Sequence, residues 1–453
     1  MPRRTQRLTA VGGETRRHAL PFRIGPRYVA AILTCVVCVA LSFGGRGTVA
    51  AEEPADPFLM VRKVLTPRAG GPTFGEWVDS LTPEDCKGVE EAIRYGCAFL
   101  VKQQGPDGSF LGNADPMLRV GLTALAVLAL MDAGHPYGGG SAESVGIRKG
   151  ISFLRKAQDR LGRLGPDAAE RNNHNHGFAM YALVRAFAIT GDRGIQRAAQ
   201  RALDFAAASR NRYLAWRYGV TPGDNDTDVT GVMMLAHAEA RTLNRADDRP
   251  DGEELFVLDD EVYDGTRTWL DKMTDNNTGR VGYVVRGMGV SRYPQIQGVG
   301  DSKYPPEFSE AMTAVGGWLR LQMREDPTRD LNTQRAMALV AKVAPAEKVH
   351  RRTIDQYYWY WGARFASELD HWDKKTYTQL DAWRAAVVRA LLGRQEPALG
   401  ADLMRGGSWA PEGAWGSVGG RIYSSAFAVS TLRWAASRGG QRLVRGQGTR
   451  EAP

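Results

Sequence analysis

The chain has 453 residues, 43% hydrophobic and 24% charged, which is enough to bury a large core and argues against a disordered polypeptide. Its net charge of +9 sits mostly in the first fifty residues, where eight Arg accompany one Glu. The rest is close to neutral and has no basic block interleaved with aromatics, so nucleic-acid binding is not indicated.

Residues 1–51 read as a signal peptide or membrane anchor. An Arg-rich stretch precedes the apolar run Tyr28–Phe43, and Thr48-Val49-Ala50-Ala51 supplies small residues of the kind a signal peptidase reads. Thr15-Arg16-Arg17-His18-Ala19-Leu20 loosely resembles a twin-arginine export signal. Cleaved or retained, the segment places the body outside the cytoplasm, periplasmic or secreted, with a membrane contact expected only through this leader. Residues 52–82, punctuated by Pro54, Pro57, Pro67 and Pro72, read as a flexible linker, and residues 439–453 as a disordered tail. Outside the leader there are two cysteines, Cys86 and Cys97. On one helix, eleven residues separate them by about 16 Å, beyond disulfide reach, so they read as packed thiols unless Cys86 belongs to the preceding loop. Too few cysteines remain for a Cys-based zinc site.

Across residues 83–438 a segment with one apolar stripe is followed six times by a segment apolar nearly all round. In the first pair Val89, Ile93, Cys97 and Leu100 form a stripe opposite Glu90, Glu91, Arg94 and Lys102, whereas Leu118–Met131 has scarcely a polar face. The pairs continue as Gly146–Leu161 with Gly177–Thr190, Ile195–Ser209 with Val229–Leu243, and Glu261–Asp275 with Phe308–Met323. Leu331–Val343 with Tyr357–Leu369, and the stripe from Leu380 to Leu391 with the segment starting at Ile422, complete the set. An open stack would need polar end caps, but the last inner segment is as apolar as the middle ones, so the expectation is an all-α, closed (α/α)6 toroid in one domain.

Gln104-Gly105-Pro106-Asp107-Gly108-Ser109-Phe110 matches the Q-x3-G-x-W/F turn and resembles the squalene cyclase and prenyltransferase repeats; Gly407-Ser408-Trp409 before Trp415-Gly416-Ser417 is similar to a degenerate second copy. Asp226-Thr227-Asp228-Val229-Thr230-Gly231 also resembles repeats of uncharacterised exported bacterial members. The resemblance implies a terpenoid cyclase-like toroid and leaves activity open. Class II terpene cyclases carry D-x-D-D-T, and Asp226, Asp228 and Thr230 match three positions while Val229 replaces the last Asp. The resemblance thus makes Asp228 the candidate general acid with Asp226 beside it; the competing reading is that both are helix N-cap residues. The prenyltransferase branch would need a zinc Cys in a later repeat, and Tyr423 stands where its His-bearing segment would fall.

Further candidate ligand-binding residues cluster before the inner segments. His174-Asn175-His176 offers alternate imidazoles for a metal or for hydrogen bonds across the ring mouth; Glu310 and Asp355 offer carboxylates. In Tyr357-Tyr358-Trp359-Tyr360-Trp361 most rings must pack between helices while one or two face the cavity, with Tyr357, Tyr358 and Trp361 as candidates. Asn276 to Pro306, Gly-rich around a β-like Val281–Val285, reads as a lid, a partner-binding loop or a plain surface elaboration. No cofactor and no resident metal is implied. The leading functional expectation is a ligand- or polypeptide-binding module of the cell envelope. The alternatives are a terpene cyclase-like enzyme on a polyprenyl substrate and a glycan-active hydrolase or lyase, so the partner is a hydrophobic small molecule, a glycan or a polypeptide.

Overall fold

Helical hairpins with one wet and one dry member dominate the computed structural model. It describes residues 76–166, 172–212, 214–245, 254–290, 306–346, 353–397 and 405–438. The leader, most of the linker and the tail lie outside these residues, which all belong to one compact unit, Asp56–Pro453. Twelve long helices are present among them: α1 (Pro83–Lys102), α2 (Arg119–Asp132), α3 (Ala142–Ala157), α4 (Asn172–Thr190), α5 (Arg193–Ser209) and α6 (Thr227–Asn244) in the first half. The second half holds α7 (Glu261–Met273), α8 (Ala311–Gln322), α9 (Leu331–Lys342), α10 (Gln356–Leu369), α11 (Asp381–Leu392) and α12 (Gly416–Ala436). Even-numbered helices form an inner ring in which each packs on the next, and α12 returns to α2. Odd-numbered helices cover them from outside. The expected closed toroid is the observed fold.

Burial follows the sequence pattern. Every residue of α2 from Val120 to Asp132 is buried, whereas α3 buries Ile147, Ile151 and Leu154 along one stripe. Close approach between inner helices needs small residues: a Cβ on Gly231 of α6 would lie 2.5 Å from a methyl of Val315 on α8. Cys86 and Cys97 are both on α1 and both free. The β-like Val281–Val285 forms no strand; it makes one isolated bridge, Thr274 with Val281, and buries Val281 and Tyr283 while Val285 stays exposed. Residues 291–305, the rest of that insertion, are outside the described set.

The turn motif recurs more often than the sequence suggests. Gln104 and Gln158 each start a tight turn closed by a bridge to Phe110 and Leu164, and Gln395 starts a longer connection closed by a bridge to Trp409. Each Gln side chain donates to a carbonyl within its own turn and to one on the following outer helix: Gly146 for Gln104 (2.9 Å), Ala198 for Gln158 (2.9 Å) and Ala92 for Gln395 (2.9 Å). The third of these joins the last hairpin to the first helix and closes the ring. Gly108, Gly162 and Gly407 hold φ of 91°, 92° and 81°, and each lies flat on that same outer helix. A second link points inward. The N–H groups of Phe110, Leu164, Trp216, Val281 and Trp409 donate to Thr123 (2.9 Å), His176 (3.1 Å), Thr230 (3.4 Å), Thr313 (3.3 Å) and Ser425 (3.1 Å) of the inner helices.

The chain enters beside its exit. Val78 donates to the carbonyl of Ala436 (3.1 Å) and Arg438 to that of Glu76 (2.6 Å), so residues 76–78 are held within the stretch read as linker. Among the described residues no helix is long and apolar enough to cross a membrane.

Gly162→Ala combines a positive φ with a Cβ 2.1 Å from the Arg201 carbonyl oxygen. It should cost about 2 kcal/mol or more of unfolding free energy by chemical denaturation. Gly138→Ala, with nothing within 4 Å, should be near neutral.

Candidate functional site

The inner-ring register explains which residues reach the mouth. Two positions before the Thr, His or Ser that accepts each turn N–H stand Gly121, His174, Asp228 and Ala311, in the first turn of their inner helices, and Tyr423, just after the kink at Gly420 in α12. Asp226 is the N-cap of α6, its Oδ1 accepting from the Val229 N–H at 2.6 Å. Its helix then aims Asp228 inward. There His174 Nε2 donates to Asp228 Oδ2 at 3.0 Å, and the Tyr357 hydroxyl donates to Asp228 Oδ1. Three helices, α4, α6 and α10, thus converge on one carboxylate.

The cluster touches solvent at one edge: the side chain of His174 is 30% exposed and that of Asp228 11%. Tyr218 packs near His174, centroids 5.8 Å apart, and its hydroxyl is hydrogen-bonded to that of Tyr283. Burial pulls His174 toward the neutral form, but the charge and hydrogen bond of Asp228 outweigh it and raise its pKa. Burial, followed by the neighbouring Asp228 carboxylate, keeps the Tyr357 phenol protonated and therefore a donor. Asp226 is buried beside Asp228, and desolvation with that like charge lifts it well above the usual carboxylate range. Its Oδ2 sits 3.8 Å from Arg217 Nε.

Below the mouth, side chains cross the lumen. Tyr357, Tyr360 and Arg364 form one stripe on α10. The rings of Tyr357, Tyr360, Tyr423 and Phe178 all pack on Phe427 of α12, at centroid separations of 6.0, 4.7, 4.6 and 6.0 Å. Arg364 reaches Tyr181 on α4, the helix across the ring, at 3.2 Å. Side chains of α4, α10 and α12 thus meet across the lumen below the mouth.

Of the residues singled out in the sequence, His174, Asp228, Tyr357 and Tyr423 come together. Asp226 caps α6 beside them, and Trp361 packs on Tyr357 with ring centroids 6.2 Å apart; the others are engaged elsewhere. His176 is fully buried; its Nδ1 accepts from Leu164 and its Nε2 donates to the Ala202 carbonyl (3.0 Å), which leaves no lone pair for a metal shared with His174. Glu310 is bound by Arg280 (2.6 Å) and the Thr313 hydroxyl (2.7 Å). Asp355 caps α10 through the Tyr358 N–H and accepts from Ser309 (2.8 Å). Tyr358 turns outward to the carbonyl of Val343 (2.9 Å), and Trp361 is sealed against Trp318. Sequence reasoning passed over Tyr218, Tyr283, Tyr360, Phe427 and Phe178. Only Tyr360 carried a signal, at helical spacing from Tyr357.

No protein-family model and no curated protein matches the chain. Solved structures do match. The alpha-1,6-mannanase GH76A from Salegentibacter sp. HEL1_6 is similar with a TM-score of 0.51 at 10% identity, over 76% of this chain and 98% of that one. An inactive variant of it, in complex with alpha-1,6-mannotetrose, gives the same values. A variant of the type II terpene cyclase MstE from Scytonema, in complex with merosterolic acid A, is similar with a TM-score of 0.50 at 13% identity, over 78% of this chain and 99% of that one. Identities this low establish the α/α toroid and nothing finer.

The histidines should separate by titration. His174 should titrate above the reference value of about 6.5 in an NMR pH series, and Asp228→Asn should bring it down. Because its folded pKa is raised, the stability it contributes is complete below about pH 6.5 and disappears as pH rises through the folded value. His176 and His237, both lowered to about 4 by burial, behave oppositely. Stability should fall as pH drops from about 6.5 toward their folded values, on the order of 3 kcal/mol for each at full effect, measured as unfolding free energy against pH.

Proposed function

We propose that this chain is an exported ligand-binding toroid of the cell envelope that takes a sugar unit of a glycan at the basin formed by His174, Asp228, Tyr357 and Tyr218. The observation that carries the reading is Asp228 held between an imidazole and a phenol at the edge of solvent, above a lumen crossed by side chains. Donor and acceptor lie side by side there, matching vicinal hydroxyls, and the flanking tyrosine rings suit the apolar face of a pyranose. Export rests on the leader sequence alone.

Binding is favoured over hydrolysis because glycoside cleavage ordinarily uses two available carboxylates, and Glu310 and Asp355 are spent on Arg280 and on a helix cap. A second reading has one observation behind it: Asp228 occupies the middle position of the cyclase acid motif and is hydrogen-bonded among aromatic rings. Against it stand Val229 in place of the last Asp and the side chains that meet across the lumen below Asp228.

Titration calorimetry with an oligosaccharide series including α-1,6-mannotriose tests the proposal. Saturable binding is expected, weakened about tenfold or more by Asp228→Asn and by His174→Gln, with melting temperatures near that of the unaltered protein. Binding unaffected by both substitutions, or confined to extended peptides, would refute it. Turnover of a polyprenyl substrate that Asp228→Ala abolishes would establish the second reading instead.

A further inference from the structure

A second opening adjoins the Asp228 basin. It is a cleft of about 360 Å³ lined by Arg217, Asp224, Asn225, Trp269, Val284 and Val285. Arg217 and Val284 are the chain neighbours of Tyr218 and Tyr283, whose hydroxyls meet beside His174, and Asn225 stands three residues before Asp228. Consecutive Cα atoms are about 3.8 Å apart, so the basin and the cleft are divided by little more than one thickness of backbone. Trp269 belongs to the outer helix α7, whereas Asp228 points inward from α6. The two openings thus follow one another from the lumen outward.

The polar wall of the cleft is fixed from behind. Asn225 is 7% exposed, and its Oδ1 accepts from the Ala215 N–H (3.0 Å) and from Asn211 Nδ2 (3.0 Å). Those bonds settle which end of the amide is oxygen and turn Nδ2 away from them, where it has no partner among the described residues. A buried amide with an unmatched donor is costly unless a ligand or water accepts from it. Beside it, Asp224 is ion-paired to Arg217 through Oδ2, while its Oδ1 accepts no hydrogen bond among the described residues. Arg217 and Asp224 cancel, so the cleft does not call for an ion. The other side is apolar: the Trp269 indole, held by its N–H to Thr227 Oγ1 (3.2 Å), then Val284, then Val285 exposed at the lip. A free donor and a free acceptor facing an indole and two valines complement a pyranose, which carries hydroxyls round its edge and C–H groups on its face.

We propose that this cleft is a second sugar subsite: the glycan runs from the Asp228 basin past Tyr218 and Tyr283 and sets its next unit against Asn225, Asp224 and Trp269. The subsite presupposes that the basin takes a sugar and adds a length requirement, a chain of at least two units in place of a single one.

Titration calorimetry of the full chain with the methyl monoglycoside, disaccharide and trisaccharide of two series, α-1,6-linked mannose and β-1,4-linked N-acetylglucosamine, tests it. In the series that binds, the disaccharide should bind about tenfold or more tighter than the monoglycoside. Asn225→Asp keeps the oxygen that serves Ala215 and Asn211 and removes the free donor; Val285→Arg fills the cleft from an exposed position. Each should bring the disaccharide down to the affinity of the monoglycoside, leave the monoglycoside unchanged and melt near the unaltered protein, whereas Asp228→Asn weakens every member. Equal affinity for one, two and three units, an unchanged length dependence in both cleft variants, or a loss that is the same for monoglycoside and disaccharide would overturn the second subsite and leave the basin reading standing. Absence of saccharide binding in both series would overturn the basin reading and the subsite with it. Crystals soaked in the disaccharide should show a ring between Asn225 and Trp269; a water on Asn225 Nδ2 with the second sugar in bulk solvent would overturn the subsite alone.

Discussion

The toroid depends on one small reach: a glutamine amide that must satisfy its own turn and the next hairpin's outer helix at once. Gln104, Gln158 and Gln395 all make it, and each works only because a glycine with positive φ lets the turn lie flat on that helix. The amide does not supply the bulk of the stability, which comes from buried apolar surface. What it supplies is angle. Made at three of the six junctions, it sets the first pair against the second, the second against the third and, where Gln395 finds Ala92, the last against the first. Closure in turn lets the inner helices be apolar on all sides without exposing an end.

How much of this was legible in the sequence varies by element. The two classes of helix were readable because burial on one side or on all sides writes different periodicities. The Gln104 turn was readable because all its positions are kept. The Gln158 copy was hidden by Leu164 standing where an aromatic was expected, and Gln395 was hidden by the long segment separating it from Trp409. His176 looked like half of a metal pair; it is the counterpart of Thr123 and Thr230, serving a backbone N–H, a role visible only once turn and helix are seen together. The Asp228 cluster was half readable: the acid, the imidazole and Tyr357 stood out as residue types, but nothing in the spacing says that α10 would reach past α8 to α6.

A scaffold shared by glycan- and terpenoid-handling proteins leaves the use of the lumen to the side chains that line it. Here α10 decides the matter, because Tyr357, Tyr360 and Arg364 run down one face and touch α4, α6 and α12. The barrel is divided into an upper basin with an acid, a base and phenols, and a lower compartment where a guanidinium sits among rings. The two differ in chemistry although one helix builds both.

Entry and exit lie together, where Val78 meets Ala436 and Glu76 meets Arg438, at the C-terminal end of α12. Asp228 lies near the N-terminal end of α6, and the inner helices run the same way, so residues 76 and 438, the first and last described, lie together at the back of the ring. Linking the ends directly and reopening the chain in another hairpin connection would preserve the same circle, with the seam moved to a new place.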